Sequence, residues 1–106
     1  PADMVELMRA VTGWEMTLDE VQCIGERRLN LLRAFNARDG VGREADTLPE
    51  RLFDQPFVGG ASDGVALSRQ DLAAALDDYY ELAGWDGATG FPTKAKLEEL
   101  GIGWAL

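Results

Sequence analysis

The chain has no histidine and a single cysteine, Cys23, among its 106 residues. It therefore offers no disulfide within the chain, no zinc site of the usual Cys/His kind and no histidine-based catalytic triad. These absences favour a reducing, cytoplasmic location. They also remove most of the common catalytic side-chain combinations.

Long apolar runs and an excess of positive charge are also missing. No apolar stretch approaches the roughly 20 residues that a membrane span requires, and the N-terminal segment PADMVELMRA lacks the pattern of a signal peptide. The formal charge is −9, whereas nucleic-acid binding needs a basic surface. We therefore expect neither a membrane nor a nucleic acid as a partner.

Helical signals dominate what is present. Apolar residues recur at helical spacing and are bounded by capping residues, which predicts helices over about 3–12, 17–39 and 68–83. Two short helices are also predicted, one with Pro49 as its first residue and a last one that begins at Pro92–Thr93. Capping boxes are predicted at Asp3/Glu6 and Thr17/Glu20. The fold class is therefore all-α, with four to five helices in one compact domain over residues 1–106 and a glycine-rich loop around 55–67.

Two helix ends share the motif Gly-Trp, in TGW at residues 12–14 and AGW at residues 83–85. In both, the glycine is predicted to adopt the left-handed conformation that ends a helix. The tryptophan is predicted to fold back onto the last turn. The flanking residues do not align, so this is shared capping chemistry rather than an internal repeat.

Other candidate sites have simpler explanations. Gly59 and Gly64 have the outer spacing of a phosphate loop, but the lysine and the Ser/Thr of that motif are absent. The acidic pairs 77–78 and 98–99 point about 100° apart on a helix, so a solvated face is expected rather than a metal site. Cys23 is expected to be a small, partly buried hydrophobe. The sequence thus predicts no catalytic, cofactor-binding or metal-binding residue in this chain.

Arginines are concentrated in one segment. Five of the chain's ten basic residues lie between Arg28 and Arg51. They can be explained by helix termination with local ion pairs to Asp39, Glu44 or Asp46. Alternatively, the segment docks onto another part of a protein, because arginine is the preferred interfacial cation. The docking candidates are Arg33, Asn36, Arg38 and Arg51.

Two ordered strings carry a family resemblance: IGERRLNLLRAFNARDGVGREADTLPERLFDQP, and then ALDDYYELAGWDGATGFPTKAKLEELGI. Together they resemble the C-terminal end of the aldehyde ferredoxin oxidoreductase family, over nearly the whole chain from Ala10. The resemblance implies a C-terminal helical segment of an enzyme that oxidises aldehydes to carboxylates. Its implied cofactors are a tungsten or molybdenum pterin and a four-iron cluster, and its implied partners are ferredoxin and the upstream domains of the same polypeptide.

The family's C-x-x-C-x-x-x-C cluster motif and its D-x-x-G-L-type pterin motifs do not occur here. We therefore expect the isolated chain to bind no cofactor and to be inactive. Two alternatives stay open: a stand-alone acidic helical interaction module derived from that domain, and the equivalent segment of a related tungsten acyl-CoA reductase subunit.

Overall fold

The structure is a computed structural model that describes residues 1–105. It contains five α-helices in that range and no β-strand, which confirms the all-α class and the number of helices. Two 3-10 turns add Arg43–Ala45 and Gly103–Ala105. The α-helices are α1 Ala2–Thr12, α2 Leu18–Arg38, α3 Arg51–Asp54, α4 Arg69–Ala83 and α5 Lys94–Glu99.

Capping explains most helix boundaries. Thr17 begins α2 with the complete predicted capping box, in which its side chain accepts from the Glu20 amide while Glu20 accepts from the Thr17 amide. Ser68 begins α4 and Thr93 begins α5 with a single side-chain cap each: the hydroxyl oxygen accepts from the amide of Asp71 and of Lys96, respectively. These starts are encoded within four residues of sequence, and they were predicted correctly.

Two predicted helix starts were wrong. The residue that caps α1 is Pro1, and no side chain supplies a cap hydrogen bond, so Asp3 and Glu6 form no capping box. Pro49 was predicted to be the first residue of a helix, but it lies outside α3, which has Glu50 in the cap position and begins at Arg51. Proline at this point is compatible with a turn as well as with a first helical turn.

The main core lies where α2 meets α5 and the C-terminal 3-10 turn. It consists of Ala34, Leu97, Leu100, Ile102 and Ala105, with Cys23 and Leu31 packed against it. Leu97 is fully buried, which contributes roughly 2 kcal/mol of burial free energy. The half-buried Cys23 is thus the small hydrophobe that the sequence predicted.

The loop over residues 55–67 is exposed and without helix, as predicted. It closes on itself through hydrogen bonds from the Phe57 amide to the Val65 carbonyl and from the Gly64 amide to the Phe57 carbonyl. The glycine at position 64 has a φ of 79°, a conformation that favours glycine.

The domain is flattened. Its principal extents are 49 × 35 × 20 Å and its Cα radius of gyration is 17.9 Å, against roughly 13 Å for a globular chain of this length. Many large apolar side chains on α1 and α2 therefore lie at the surface. None of the helices in residues 1–105 is long and apolar enough to cross a membrane.

Candidate functional site

A polar cluster joins α2 to three other segments of the chain. We call it the Arg33 cluster, and it consists of Arg33, Asp46, Tyr80 and Trp85. The Arg33 guanidinium donates from Nη1 to Asp46 Oδ1 at 2.8 Å and from Nη2 to Asp46 Oδ2, which makes the pair bidentate. Its Nε donates to the Gly90 carbonyl at 2.8 Å. The Tyr80 hydroxyl donates to Asp46 Oδ2.

Two aromatic rings surround the guanidinium. The Arg33 Cζ lies 4.7 Å from the centroid of the Trp85 ring and 5.8 Å from that of Tyr80. A cation over an aromatic face is attracted by the ring quadrupole, and more strongly when both are shielded from water. The Arg33 side chain is only 11% exposed, so this interaction adds to the ion pair.

Trp85 is tied to α2 by a second contact. Its indole Nε1 donates to Asn30 Oδ1 at 2.8 Å, and the Asn30 amide nitrogen donates to the Glu26 carbonyl at 2.9 Å. Asn30 is the one buried polar residue in the described part of the chain. It occupies a position on the inner face of α2 that periodicity alone would assign to an apolar residue, and its role is to satisfy the buried indole N–H.

Glycine is required where the chain passes over the cluster. At Gly90, which has a φ of 70°, an added Cβ would lie 2.5 Å from the Arg33 Nη2 and 2.9 Å from the Tyr80 hydroxyl. At Gly42 it would lie 2.2 Å from the Thr89 carbonyl oxygen. The backbone at Gly90 therefore lies too close to the Arg33 cluster, and the backbone at Gly42 too close to Thr89, for either position to accept a side chain.

A second arginine supports the same region from outside. Arg43 donates to the Gly87 carbonyl at 2.8 Å and pairs with Asp77 at 2.7 Å, and its Cζ lies 5.3 Å from the Tyr80 ring centroid. Its backbone amide donates to the Thr89 carbonyl. The 3-10 turn is thereby connected to both α4 and the loop after it.

The electrostatics of the cluster favour a permanent ion pair. The hydrogen bond from Arg33 is the main cause that lowers the pKa of Asp46, and the same bond raises the pKa of Arg33. Burial, followed by the hydrogen bond to Asp46, raises the pKa of Tyr80. At neutral pH the carboxylate is therefore ionised and the phenol is protonated. Neither group is prepared to take or give a proton, so the cluster is a structural clamp rather than an acid–base site.

An open cavity of about 420 Å³ lies beside the clamp. Its walls come from α4, the segment after the 3-10 turn and the cluster itself, including Leu48, Leu72, Leu76 and Tyr79. Helical spacing predicts that Tyr79 lies on the same inner stripe of α4 as Leu72 and Leu76. The buried residue is instead Tyr80, while Tyr79 is 45% exposed. Helical spacing could not show which of the two tyrosines is buried, because Tyr80 is held in place by a hydrogen bond to Asp46, which lies outside α4.

The four docking candidates lie in different environments. Arg33 is committed to partners within the chain, so the ion pair with Asp46, which was one of the local alternatives, is the one observed. Asn36, Arg38 and Arg51 are exposed, and their side chains make no ion pair or hydrogen bond with residues 1–105. Arg38 lies beside the exposed rings of Phe35 and Trp104.

The donor set does not fit the cofactors that the family resemblance implies. A four-iron cluster takes four cysteine thiolates, and this chain supplies one, half-buried against the core. Within residues 1–105, no group of three or more His, Cys, Asp or Glu side chains could hold a metal ion.

Comparison with known proteins identifies the class. The family model described as "Aldehyde ferredoxin oxidoreductase, domains 2 & 3" matches residues 1–102. The chain belongs to the aldehyde ferredoxin oxidoreductase family.

Particular relatives agree with this assignment. The chain is 38% identical to the tungsten-containing aldehyde ferredoxin oxidoreductase of Pyrococcus furiosus and 34% identical to that of Pyrococcus horikoshii, with 94% of the chain covered in each case. It is also 33% identical, over 96% of its length, to the aliphatic sulfonate oxidoreductase WOR-like subunit of Pyrococcus furiosus. The chain spans only 16% to 17% of the length of these relatives.

Proposed function

We propose that this chain is the C-terminal helical segment of a larger oxidoreductase that converts aldehydes to carboxylates. The observation that carries the proposal is the family match over residues 1–102, together with relatives about six times longer than the chain. On this proposal the segment provides scaffold and contact surface, and the reaction takes place in the rest of the polypeptide.

The cofactors of the proposed enzyme are a tungsten or molybdenum pterin and a four-iron cluster that passes electrons to ferredoxin. They are bound upstream of this chain, which lacks the thiolates for the cluster. The isolated chain is then inactive. The lone, half-buried cysteine and the absence of a histidine support a cytoplasmic enzyme whose chemistry is supplied by its cofactors.

The substrate of the proposed enzyme is an aldehyde, as in the relatives named for that activity. A relative named for aliphatic sulfonate oxidation has nearly the same identity to this chain. Aliphatic sulfonates are therefore the alternative substrates to test beside aldehydes.

The contribution of the exposed arginines to this enzyme is docking. Asn36 and Arg38 at the end of α2, and Arg51 at the start of α3, face away from the chain's own core. In the complete protein they meet carboxylates or carbonyls of the upstream domains, where the planar guanidinium can pair bidentately. Arg33 has an internal role instead, since it holds α2 to the 3-10 turn and α4.

The test compares the complete polypeptide with the 106-residue chain. The complete polypeptide, purified without oxygen, should reduce a viologen dye with aldehydes as substrate and contain iron together with tungsten or molybdenum. The chain alone should do neither. Oxidation of sulfonates without oxidation of aldehydes would replace the substrate proposal, and near-stoichiometric metal in the chain alone would refute the assignment of the cofactors to the upstream part.

A further inference from the structure

α2 has two apolar faces, and this chain covers only one of them. The inner face packs Cys23, Leu31 and Ala34 in the main core, and it also carries Asn30, whose side chain is hydrogen-bonded to Trp85. The opposite face, which we call the outer face of α2, is made of Ile24, Gly25, Arg28, Leu29, Leu32 and Phe35. Its Phe35 is 67% exposed and its Leu32 is 52% exposed. A helix that is apolar on both sides is typical of one that is buried on both sides.

Gly25 lies in the middle of this outer face, one turn before Leu29 and two turns before Leu32. Glycine weakens a helix interior, so a reason for it is expected. The reason is not within the chain, because Gly25 has no positive φ and an added Cβ would meet nothing within 4 Å. A small residue on an exposed helix face lets the axis of a second helix approach closely at that point.

Arg28 is the one charged residue of the outer face. It lies between Ile24 and Leu32 on the helix surface and makes no ion pair or hydrogen bond with any residue in 1–105. A partner for this face is therefore apolar, with a carboxylate positioned to meet Arg28.

The exposed area is large enough to accommodate such a partner. The accessible surface of the chain is 7673 Å², about 1,800 Å² more than the roughly 5,800 Å² that is typical of a monomer of this mass. Interfaces between domains of one polypeptide cover roughly 600–1,500 Å². The excess surface is larger than this range, so it leaves room for one such interface at the outer face of α2.

We propose that the outer face of α2 binds an apolar helix from the upstream part of the same polypeptide, crossing α2 at Gly25 and pairing a carboxylate with Arg28. This rests on the proposed function, in which the chain is the end of a longer protein, and the relatives' sixfold greater length supplies the partner. A second copy of the chain fits less well. A two-fold pair crossing at Gly25 would bring two Arg28 side chains within one turn of the crossing and would join two chains of charge −9.

The first experiment is hydroxyl-radical footprinting of the complete polypeptide. After correction for intrinsic reactivity, Phe35 and Leu32 should be modified about tenfold more slowly than the exposed Val58, as buried interface side chains are. The fully buried Leu97 provides the lower reference. Reaction of Phe35 and Leu32 at the rate of Val58 would overturn the proposal.

A photo-cross-link identifies the occupant. Phe35→p-benzoylphenylalanine in the complete polypeptide should give a cross-link to an upstream helix of the same molecule, and Val58→p-benzoylphenylalanine should give none. Absence of the internal cross-link, or a product with the mass of two copies or of a foreign protein, would overturn the proposal.

The third measurement tests the crossing point. Gly25→Leu favours the helix but blocks close approach, so it should lower the Phe35 cross-link yield about tenfold, while Ala74→Leu on the exposed side of α4 should not. Equal yields for both variants would show that no helix crosses at Gly25.

Viologen assays of the same samples separate the two proposals. An inactive polypeptide with an internal Phe35 cross-link refutes the aldehyde activity alone, and an active one without the cross-link refutes the docking alone.

Discussion

The two Gly-Trp helix ends of this chain have the same backbone and opposite surroundings. Gly13 and Gly84 both adopt the left-handed conformation, with φ of 69° and 72°, and each amide bonds back to the preceding turn. Trp85 is then 8% exposed, under the Arg33 guanidinium and bonded to Asn30. Trp14 is 66% exposed.

The difference shows which part of a helix stop is local. The left-handed glycine lets backbone amides bond to the last free carbonyls of the helix. This depends only on having glycine at that position, so it is a local property of the sequence. Burial of the tryptophan requires other elements around it, and only the second motif has them within this chain. Trp14, Leu7 and Val11 form an exposed apolar surface at the N-terminal end.

The largest expected effect separates the two tryptophans directly. Trp85→Ala removes the ring that covers Arg33 and leaves a cavity, so it should cost about 3–5 kcal/mol of unfolding free energy. Trp14→Ala should change it by less than about 0.5 kcal/mol, as exposed sites do. Urea denaturation of both variants and the wild type provides the measurement. Equal losses would mean that Trp14 is buried in solution.

Secondary structure was predictable here because its signals are short-range. The box at Thr17 and Glu20, the cap at Ser68 and the stop at Gly84 each depend on residues within one or two turns. The failure at Asp3 has the same origin. A capping pattern gives only the possibility of a cap, and the helix begins two residues earlier than an Asp3 cap needs, with Pro1 in the cap position.

The candidate site was only half predictable. The sequence indicated that Arg33 had either a nearby carboxylate or an external partner, and it named Asp46 among the nearby ones. It gave no sign of Tyr80 or of the Gly90 carbonyl, which lie 47 and 57 positions away along the chain. Contacts at that separation depend on how α2, α4 and the following loop pack, and no periodicity encodes this.

The second prediction concerns the ion pair that the Trp85 region contains and the Trp14 region lacks. Asp46→Asn leaves the Arg33 guanidinium without its bidentate partner in a mostly buried position, which should cost about 2 kcal/mol at pH 7. Glu50→Gln is the matched control, because it removes the carboxylate of the exposed Arg69–Glu50 pair and should give no measurable change. Thermal or urea unfolding of the two variants distinguishes a clamp from a surface pair, and equal effects would contradict the clamp.

The same pair predicts a pH dependence. The pKa of Asp46 is lower in the folded chain than the usual value of about 3.9. The stabilisation that the ionised Asp46 gives the folded chain is therefore fully present above about pH 5, where the carboxylate is ionised in both the folded and the unfolded state. It is lost as the pH falls through the pKa of the folded state. The stability difference between wild type and Asp46→Asn should be constant from pH 7 to about 5 and shrink below about 4. A difference that grows on acidification would show that the sign is wrong.

The smallest expected difference lies between the two glycines themselves. Gly13→Ala should cost about 1 kcal/mol, because a Cβ in the left-handed region is strained, although nothing lies within 4 Å of it. Gly84→Ala has the same strain and a further contact, since its Cβ would lie 3.0–3.1 Å from the Lys96 side chain. The Lys96 side chain is paired with Glu26 and Glu99, so moving it aside costs free energy. We therefore expect Gly84→Ala to lower the unfolding free energy by a few tenths of a kcal/mol more than Gly13→Ala. Urea midpoints measured in parallel give the comparison, with Gly25→Ala, which should stabilise the chain, as the control for adding a methyl group to a helix. If Gly84→Ala costs less than Gly13→Ala, the helix stop of the buried motif is no tighter than that of the exposed one, and the two ends differ only in the tryptophan that follows.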